Sequence, residues 1–286
     1  MLDDGTTVLG VDFTSTPSLK KPITVATGKW HRDSGGGVYK LDEVRRIESF
    51  EDFDALLQKK TSWIGGFDLP FGQPRMLIEH HDWPVHWPDF IHFYCQQSRN
   101  DLRAIFRQWC NSRPTGNKFA WRTTDKAAGS SPAMRWTNPP VAWMMHAGIE
   151  RMLNAGLSFP AHQHTGASDQ PPRIALEAYP GFTARKITKK SYKSDTVAKQ
   201  TEMREKERKT IMLALMNGTA ELNTHVAMSR LWQTKLLHDG SGDLLDAVIC
   251  SLQAAHAASE EHYGLPKDLD PLEGWIATAP FDDSHN

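Results

Sequence analysis

Three acidic residues stand in or at the ends of apolar segments, where carboxylates are uncommon. Asp12 ends the run at residues 8–12, Asp68 ends the run at residues 63–68, and Glu177 lies within the run at residues 174–180. An unpaired carboxylate buried among apolar residues costs several kcal/mol, so these acids need a compensating partner. Converging carboxylates also repel one another unless a cation lies between them. The three acids therefore predict a site for a divalent metal ion.

Two further acids, Asp243 and Asp246, open a long apolar segment near the C-terminus. Their spacing of three places both on one face of a helix, in its first turn. Taken alone, the pair is explained by the favourable interaction of acids with a helix N-terminus. Taken together with Asp12, Asp68 and Glu177, it predicts additional metal ligands. Because all these donors are carboxylate oxygens, we expect Mg²⁺ or Mn²⁺ rather than zinc.

A basic run without acids, residues 185–193, follows the segment that carries Glu177 and contains Arg185, Lys186, Lys189 and Lys190. These four side chains are candidate substrate contacts, because a phosphate backbone is held by Lys and Arg. Arg122, in a polar segment between loops, is a fifth candidate. A solvated surface explains the four basic residues equally well. From about residue 199 onward, a solvated helix with pairs such as Glu202 with Lys206 is the favoured explanation.

The overall composition excludes several classes of protein. The 286-residue chain has 39% hydrophobic residues, which is enough for a core, and a formal net charge of −1, which gives no general attraction to nucleic acid or membranes. Its three cysteines are too widely spaced for a disulfide framework or a zinc ribbon. No apolar segment has the length of a membrane span, and the acidic N-terminal residues do not resemble a signal peptide. We therefore expect a soluble cytoplasmic protein with no membrane partner.

The order of the predicted elements indicates an α/β fold. Strands at residues 7–13, 23–30 and 38–47, with a turn at 33–37, predict an antiparallel meander, followed by a helix capped by Ser49 and a strand at 63–68. A strand–helix–strand connection lays strand 63–68 parallel within the sheet, which brings Asp12 and Asp68 to one edge. Residues 73–170 are predicted to form an insertion or cap with helices near 89–110 and 140–154. A strand at 174–179, a helix ending near Asn217 and a helix at about 242–261 complete a single domain over residues 1–286.

Several short segments resemble the domain of unknown function 429 family. They are GVDFT at residues 10–14, FDLPFG at 67–72, LEAYP at 176–180, DLLDA at 243–247 and EGWI at 273–276. Members of that family are regarded as predicted nucleases of the RNase H-like superfamily. The resemblance implies an RNase H-like mixed five-stranded sheet of order 3-2-1-4-5 flanked by helices, and here the large Trp-rich insertion follows the fourth strand. It also implies catalytic roles for Asp12, Asp68, Glu177 and Asp246, which would hold metal ions together with Asp243.

The favoured hypothesis is a metal-dependent nuclease that hydrolyses phosphodiester bonds in DNA or RNA. Two metal ions about 4 Å apart, bridged by Asp12, would activate water and stabilise the leaving oxygen. Two alternatives stand beside it. An actin-like protein would carry out nucleotide-dependent phosphoryl transfer, with Thr14, Ser15 and Thr16 as a phosphate loop. A non-catalytic binding module on the same fold would have its acids dispersed, or paired with Arg or Lys.

Overall fold

Residues 2–34, 36–218 and 221–281, which the computed structural model describes, form a mixed α/β fold around a six-stranded sheet. The order of the strands across the sheet is β5-β4-β1-β2-β3-β6. The predicted α/β class is confirmed. The predicted five-stranded order 3-2-1-4-5 is wrong, because a sixth strand lies beside β3. The strands are β1 (Thr6–Asp12), β2 (Ile23–Asp33), β3 (Gly36–Ile47), β4 (Trp63–Asp68), β5 (Arg173–Glu177) and β6 (Thr224–Ala227).

The first half of the sheet follows from local sequence signals. β1, β2 and β3 form an antiparallel meander, as predicted. Within the predicted turn at residues 33–37, Gly35 lies outside the described residues. Helix α1 (Phe50–Leu57) begins after Ser49, whose hydroxyl accepts a hydrogen bond from the N–H of Asp52 at 3.1 Å. β4 then returns parallel to β1, on the side away from β2.

The sixth strand has a weak sequence signal. β6 has four residues, alternating between buried and half-buried, which is too short for a distinct period of two. It pairs in parallel with β3, from Gly37 with Thr224 to Lys40 with Ala227. The strand is therefore stabilised mainly by the edge of β3 that it covers, a contact that local sequence does not encode.

The helices form two layers, one on each face of the sheet, because side chains alternate between the faces along every strand. One layer packs on Val8, Ile64 and Leu176 and consists of α7 (Pro180–Ile187), α8 (Glu202–Met216), α9 (Arg230–His238) and α10 (Asp243–Ser259). The other packs on Leu9, Val11 and Phe67 and consists of α1, α2 (Arg75–His80), α3 (Trp87–Gln96), α4 (Arg99–Asn111) and α6 (Val141–Asn154). α5 (Thr123–Ala128) packs against Trp275 and Ile276. In the described ranges, no helix is long and apolar enough to cross a membrane.

The tryptophans of residues 73–170 mainly build the core of the second layer. Trp83, Trp87, Trp109 and Trp143 are buried there. The single helix expected near residues 89–110 is two helices, α3 and α4. The break occurs at Ser98, whose hydroxyl accepts a hydrogen bond from the N–H of Asp101 at 3.1 Å and so begins α4.

Two glycines allow α10 to lie directly on the sheet. A Cβ atom at Gly10 of β1 would overlap the carbonyl oxygen of Ala247, and one at Gly66 of β4 would overlap that of Cys250. Only glycine permits so close an approach of helix and strand backbones. The close packing brings the first turn of α10, with Asp243 and Asp246, to the C-terminal ends of β1 and β4.

Candidate functional site

The C-terminal ends of two adjacent strands bring Asp12 and Asp68 together. β1 and β4 run parallel, and their register pairs Asp12 directly with Asp68. Paired residues of parallel strands point to the same face, so both carboxylates lie on the side covered by α10. Both line a cleft of about 700 Å³ at this edge of the sheet. Open α/β sheets bind their ligands at this edge.

The carboxylates of Asp12 and Asp68 form no hydrogen bond or ion pair with the described part of the chain. Burial, with the charges of Asp243 and Asp246, raises the pKa of Asp12 well above its usual value. Burial also raises the pKa of Asp68 to about 7; the charge of Lys193 opposes this shift and that of Asp246 adds to it. Both shifts mean that burial and the neighbouring acids together outweigh the attraction of Lys193 for the ionised carboxylates. A cation between the two carboxylates would supply further positive charge.

The two acids of α10 are each paired with a lysine. The Nζ atom of Lys21 lies 3.1 Å from Oδ1 of Asp243. Asp246 is fully buried and accepts hydrogen bonds from the ammonium group of Lys193 and, at 2.5 Å, from the hydroxyl of Tyr192. Burial by itself would lower the pKa of Lys193, but Asp246, Tyr192 and Asp12 together outweigh it and raise that pKa well above its usual value. Both lysines are therefore held as cations within the cluster of acids.

Glu177 stands apart from this cluster, although it lines the same cleft. Its register partner on β4 is Phe67, the residue before Asp68, so its side chain points to the opposite face of the sheet. There its two oxygens accept hydrogen bonds from Arg122 at 2.6 and 2.8 Å, and one also accepts from the N–H of Phe71 at 3.0 Å. Burial raises the pKa of Glu177, and Arg122 works against that shift. We therefore leave Glu177 out of the set of metal ligands.

Arg122, predicted as a substrate contact, is committed to the protein interior. Its guanidinium group binds Glu177 and Asp125, and the three side chains are 1–4% exposed. It also donates to the carbonyl oxygen of Glu273 at 3.1 Å. Asp125 in turn accepts from the N–H of Ala133 at 3.2 Å. This buried ionic group joins α5, β5 and the C-terminal segment, so the guanidinium group of Arg122 is occupied by internal contacts and is not free for a ligand.

The basic run lies partly in the cleft. Arg185, Lys189 and Lys190 line it, whereas Lys186 does not and pairs with Glu221 at 2.9 Å. The guanidinium group of Arg185 donates to the hydroxyl of Tyr179 at 2.8 Å and to the carbonyl oxygen of Ala128 at 2.8 Å. Lys189 is exposed, and within the described ranges its ammonium group has no partner. Of the predicted substrate contacts, Lys189 and the weakly paired Lys190 are the most available to a ligand.

The donor set fits a hard divalent cation, although part of it is engaged elsewhere. Over residues 2–34, 36–218 and 221–281, no group of three or more His, Cys, Asp or Glu side chains is arranged to hold a metal ion. Lys21 binds both carboxylate oxygens of Asp243, and Tyr192 and Lys193 each bind one oxygen of Asp246. Mg²⁺ is usually held by only one or two carboxylates together with water and substrate phosphates. Asp12 and Asp68 supply such a pair.

Lys21, Tyr192 and Lys193 are the site residues that the sequence analysis did not single out. Tyr192 and Lys193 belong to the acid-free basic run, which was the available signal. Lys21 had no such signal, because its partner Asp243 is 222 residues away in the chain.

No protein family, no curated protein and no solved structure matches this chain. The resemblance to the domain of unknown function 429 family, and with it the RNase H-like classification, stays a prediction.

Proposed function

We propose that this protein is a divalent-metal-dependent hydrolase of phosphodiester bonds in nucleic acid, on an RNase H-like fold. The observation that carries the proposal is the pair of carboxylates at Asp12 and Asp68. They lie in register at the edge where open α/β sheets bind ligands, face a cleft and have no counter-charge in direct contact. Unpaired acids with raised pKa values in a cleft are typical of functional sites.

Asp12 and Asp68 would hold Mg²⁺ or Mn²⁺, with Asp243 and Asp246 beside them. When bound, a divalent cation lowers the pKa of water and withdraws negative charge from a phosphate. The protein's own part is to fix the two oxygen donors on rigid strands and to exclude competing partners from them. The close packing of α10 at Gly10 and Gly66 holds the acid-bearing elements in place.

The basic rim of the cleft supports a polyanionic substrate. Lys189 and Lys190 are exposed at the rim, where they would contact phosphates of a strand that extends beyond the cleft. Thr14, Ser15 and Thr16, the phosphate loop of the phosphotransferase hypothesis, do not line the cleft. The hypothesis of a non-catalytic binding module predicts acids paired with Lys or Arg, as Asp243 and Asp246 are. It does not predict the unpaired carboxylates of Asp12 and Asp68.

The proposal is tested by cleavage of labelled single- and double-stranded DNA and RNA with Mn²⁺, Mg²⁺ or EDTA. We expect metal-dependent cleavage by the wild type and its loss in Asp12→Asn, which keeps the shape but removes the charge. Asp42→Asn, a change at an exposed acid of β3, is the matched control and should cleave normally. Lys189→Gln should weaken binding of nucleic acid and reduce the slope of log affinity against log salt by about 1.

Two results would contradict the proposal. Cleavage that persists in EDTA or in Asp12→Asn would place the chemistry elsewhere. Absence of cleavage together with Mg²⁺-dependent ATP hydrolysis would favour phosphoryl transfer instead.

A further inference from the structure

Two lysines reach the acidic cluster from separate segments of the chain. Lys21 precedes β2 and connects Asp243 with Asp195, at 3.1 and 2.9 Å. Lys193 lies in the loop after α7 and contacts Asp246. The charge of Lys193 also acts on Asp12 and Asp68, and that of Lys21 acts on Asp12. The ammonium groups thus lie within the electrostatic range of all four aspartates.

The balance of formal charge in the cluster corresponds to one divalent cation. Asp12, Asp68, Asp243 and Asp246 together carry four negative charges when ionised, and the two lysines compensate two of them. Asp195 adds little negative charge to the cluster, because its side chain is 78% exposed and its charge is screened by water. Two negative charges are left, and they belong to the two carboxylates without a direct partner. A second divalent ion would have to displace a lysine from Asp243 or Asp246 and leave that ammonium group without its partner.

We infer that the site binds a single divalent cation, at Asp12 and Asp68, and that Lys193 supplies the positive charge that a second ion would bring. This inference rests on the proposed function and deepens it. Lys193 is suited to the role because its ammonium group binds Asp246, whose other carboxylate oxygen accepts from Tyr192, while the side chain of Lys193 is 42% exposed and lines the cleft. Its ammonium group would contact a phosphate oxygen next to the cation and stabilise negative charge there, without forming or breaking a bond.

The experiment is a calorimetric titration of Mn²⁺ into the EDTA-stripped full-length protein, without nucleic acid. We expect one ion per chain for the wild type. Lys193→Met removes a positive charge close to the ion, so the affinity for Mn²⁺ should rise at least about tenfold, or a second ion should bind at the freed Asp246. The same variant should lose cleavage of nucleic acid, although it binds metal more tightly. Tighter binding of metal combined with loss of cleavage is not expected when a lysine with a purely structural role is replaced.

Two further variants separate charge from folding. Lys193→Arg keeps the charge and should bind one ion with an affinity close to that of the wild type. Lys186→Met removes a lysine of the same basic run that lies outside the cleft, and it should leave the binding of Mn²⁺ unchanged. Thermal melts of each variant establish that the protein titrated is folded.

The outcomes distinguish this inference from the function on which it rests. Two ions bound by the wild type would overturn the single-ion inference and leave metal-dependent hydrolysis intact. Unchanged affinity in folded Lys193→Met would overturn the role of Lys193. Absence of binding by the wild type, with cleavage also absent, would overturn the proposed function itself and the inference with it.

Discussion

Replacing Asp68 by asparagine is expected to stabilise the metal-free protein at neutral and alkaline pH. Altering a half-buried polar residue usually destabilises a fold. Here the carboxylate is paired in register with Asp12 and repelled by Asp246, without a hydrogen bond or ion pair of its own in the described part of the chain. Asparagine has nearly the same shape and removes the charge. The substitution therefore relieves repulsion and the cost of burying an ionised group.

The size of the expected gain in free energy of unfolding follows from the pKa of Asp68, which burial raises from 3.8 to about 7. The folded protein then holds the proton of Asp68 to a higher pH than the unfolded chain does. Between about pH 4 and pH 7 the folded state binds more protons, so the free energy of unfolding falls as the pH rises through this window. A shift of about 3 units corresponds to about 4 kcal/mol at most. Since neighbouring acids share the shift, we expect Asp68→Asn to gain about 2 kcal/mol at pH 8 and almost nothing at pH 4.

Urea unfolding followed by tryptophan fluorescence at pH 4, 6 and 8 in EDTA measures this difference. Asp42→Asn, at an exposed acid of β3, controls for the loss of one negative charge from the whole protein. Addition of Mn²⁺ at pH 8 should make the wild type more stable than Asp68→Asn. The wild type would gain about 2.7 kcal/mol at a concentration one hundred times the dissociation constant, and Asp68→Asn would gain much less.

One result would refute this reasoning directly. If Asp68→Asn is less stable than the wild type at pH 8 in EDTA, attractive contacts hold the carboxylate and repulsion does not dominate. A difference that is the same at pH 4 and pH 8 would also show that the effect does not arise from ionisation.

Two further predictions concern the elements that support the site. Arg122→Met leaves Glu177 and Asp125 buried without a counter-charge, so the free energy of unfolding should fall by about 3–5 kcal/mol, measured by urea unfolding at pH 7; the double variant with Glu177→Gln should recover part of the loss. Gly10→Ala should cost about 1–3 kcal/mol in the same assay, because the new methyl group must push α10 away from β1. It should also weaken Mn²⁺ binding, and an unchanged unfolding midpoint would contradict the close packing of α10.

The sequence was most informative where local pattern and local chemistry agree. The strands that carry Asp12 and Asp68 are short apolar runs, and the predicted strand–helix–strand connection already implied that the two acids share an edge. The helix with Asp243 and Asp246 was recognisable because its sequence is apolar around most of its circumference, and the structure buries it on nearly every side. Ser49 marked the beginning of α1 through a hydrogen bond that spans only three residues.

Only the tertiary structure determined which charged residues pair with one another and on which face of the sheet each side chain lies. A shift of one residue in register moves a strand side chain to the other face of the sheet. Glu177 pairs with Phe67 and not with Asp68, so its side chain lies on the face opposite to that of Asp68, where it contacts Arg122. Lys21 and Asp243 meet only because the chain folds back after more than two hundred residues. The edge of β3 holds β6, a strand too short to be indicated by its own pattern. The types of charged residue could be read from the sequence, but which charges compensate one another is decided by distances of a few ångströms, and only packing of the whole chain sets those distances.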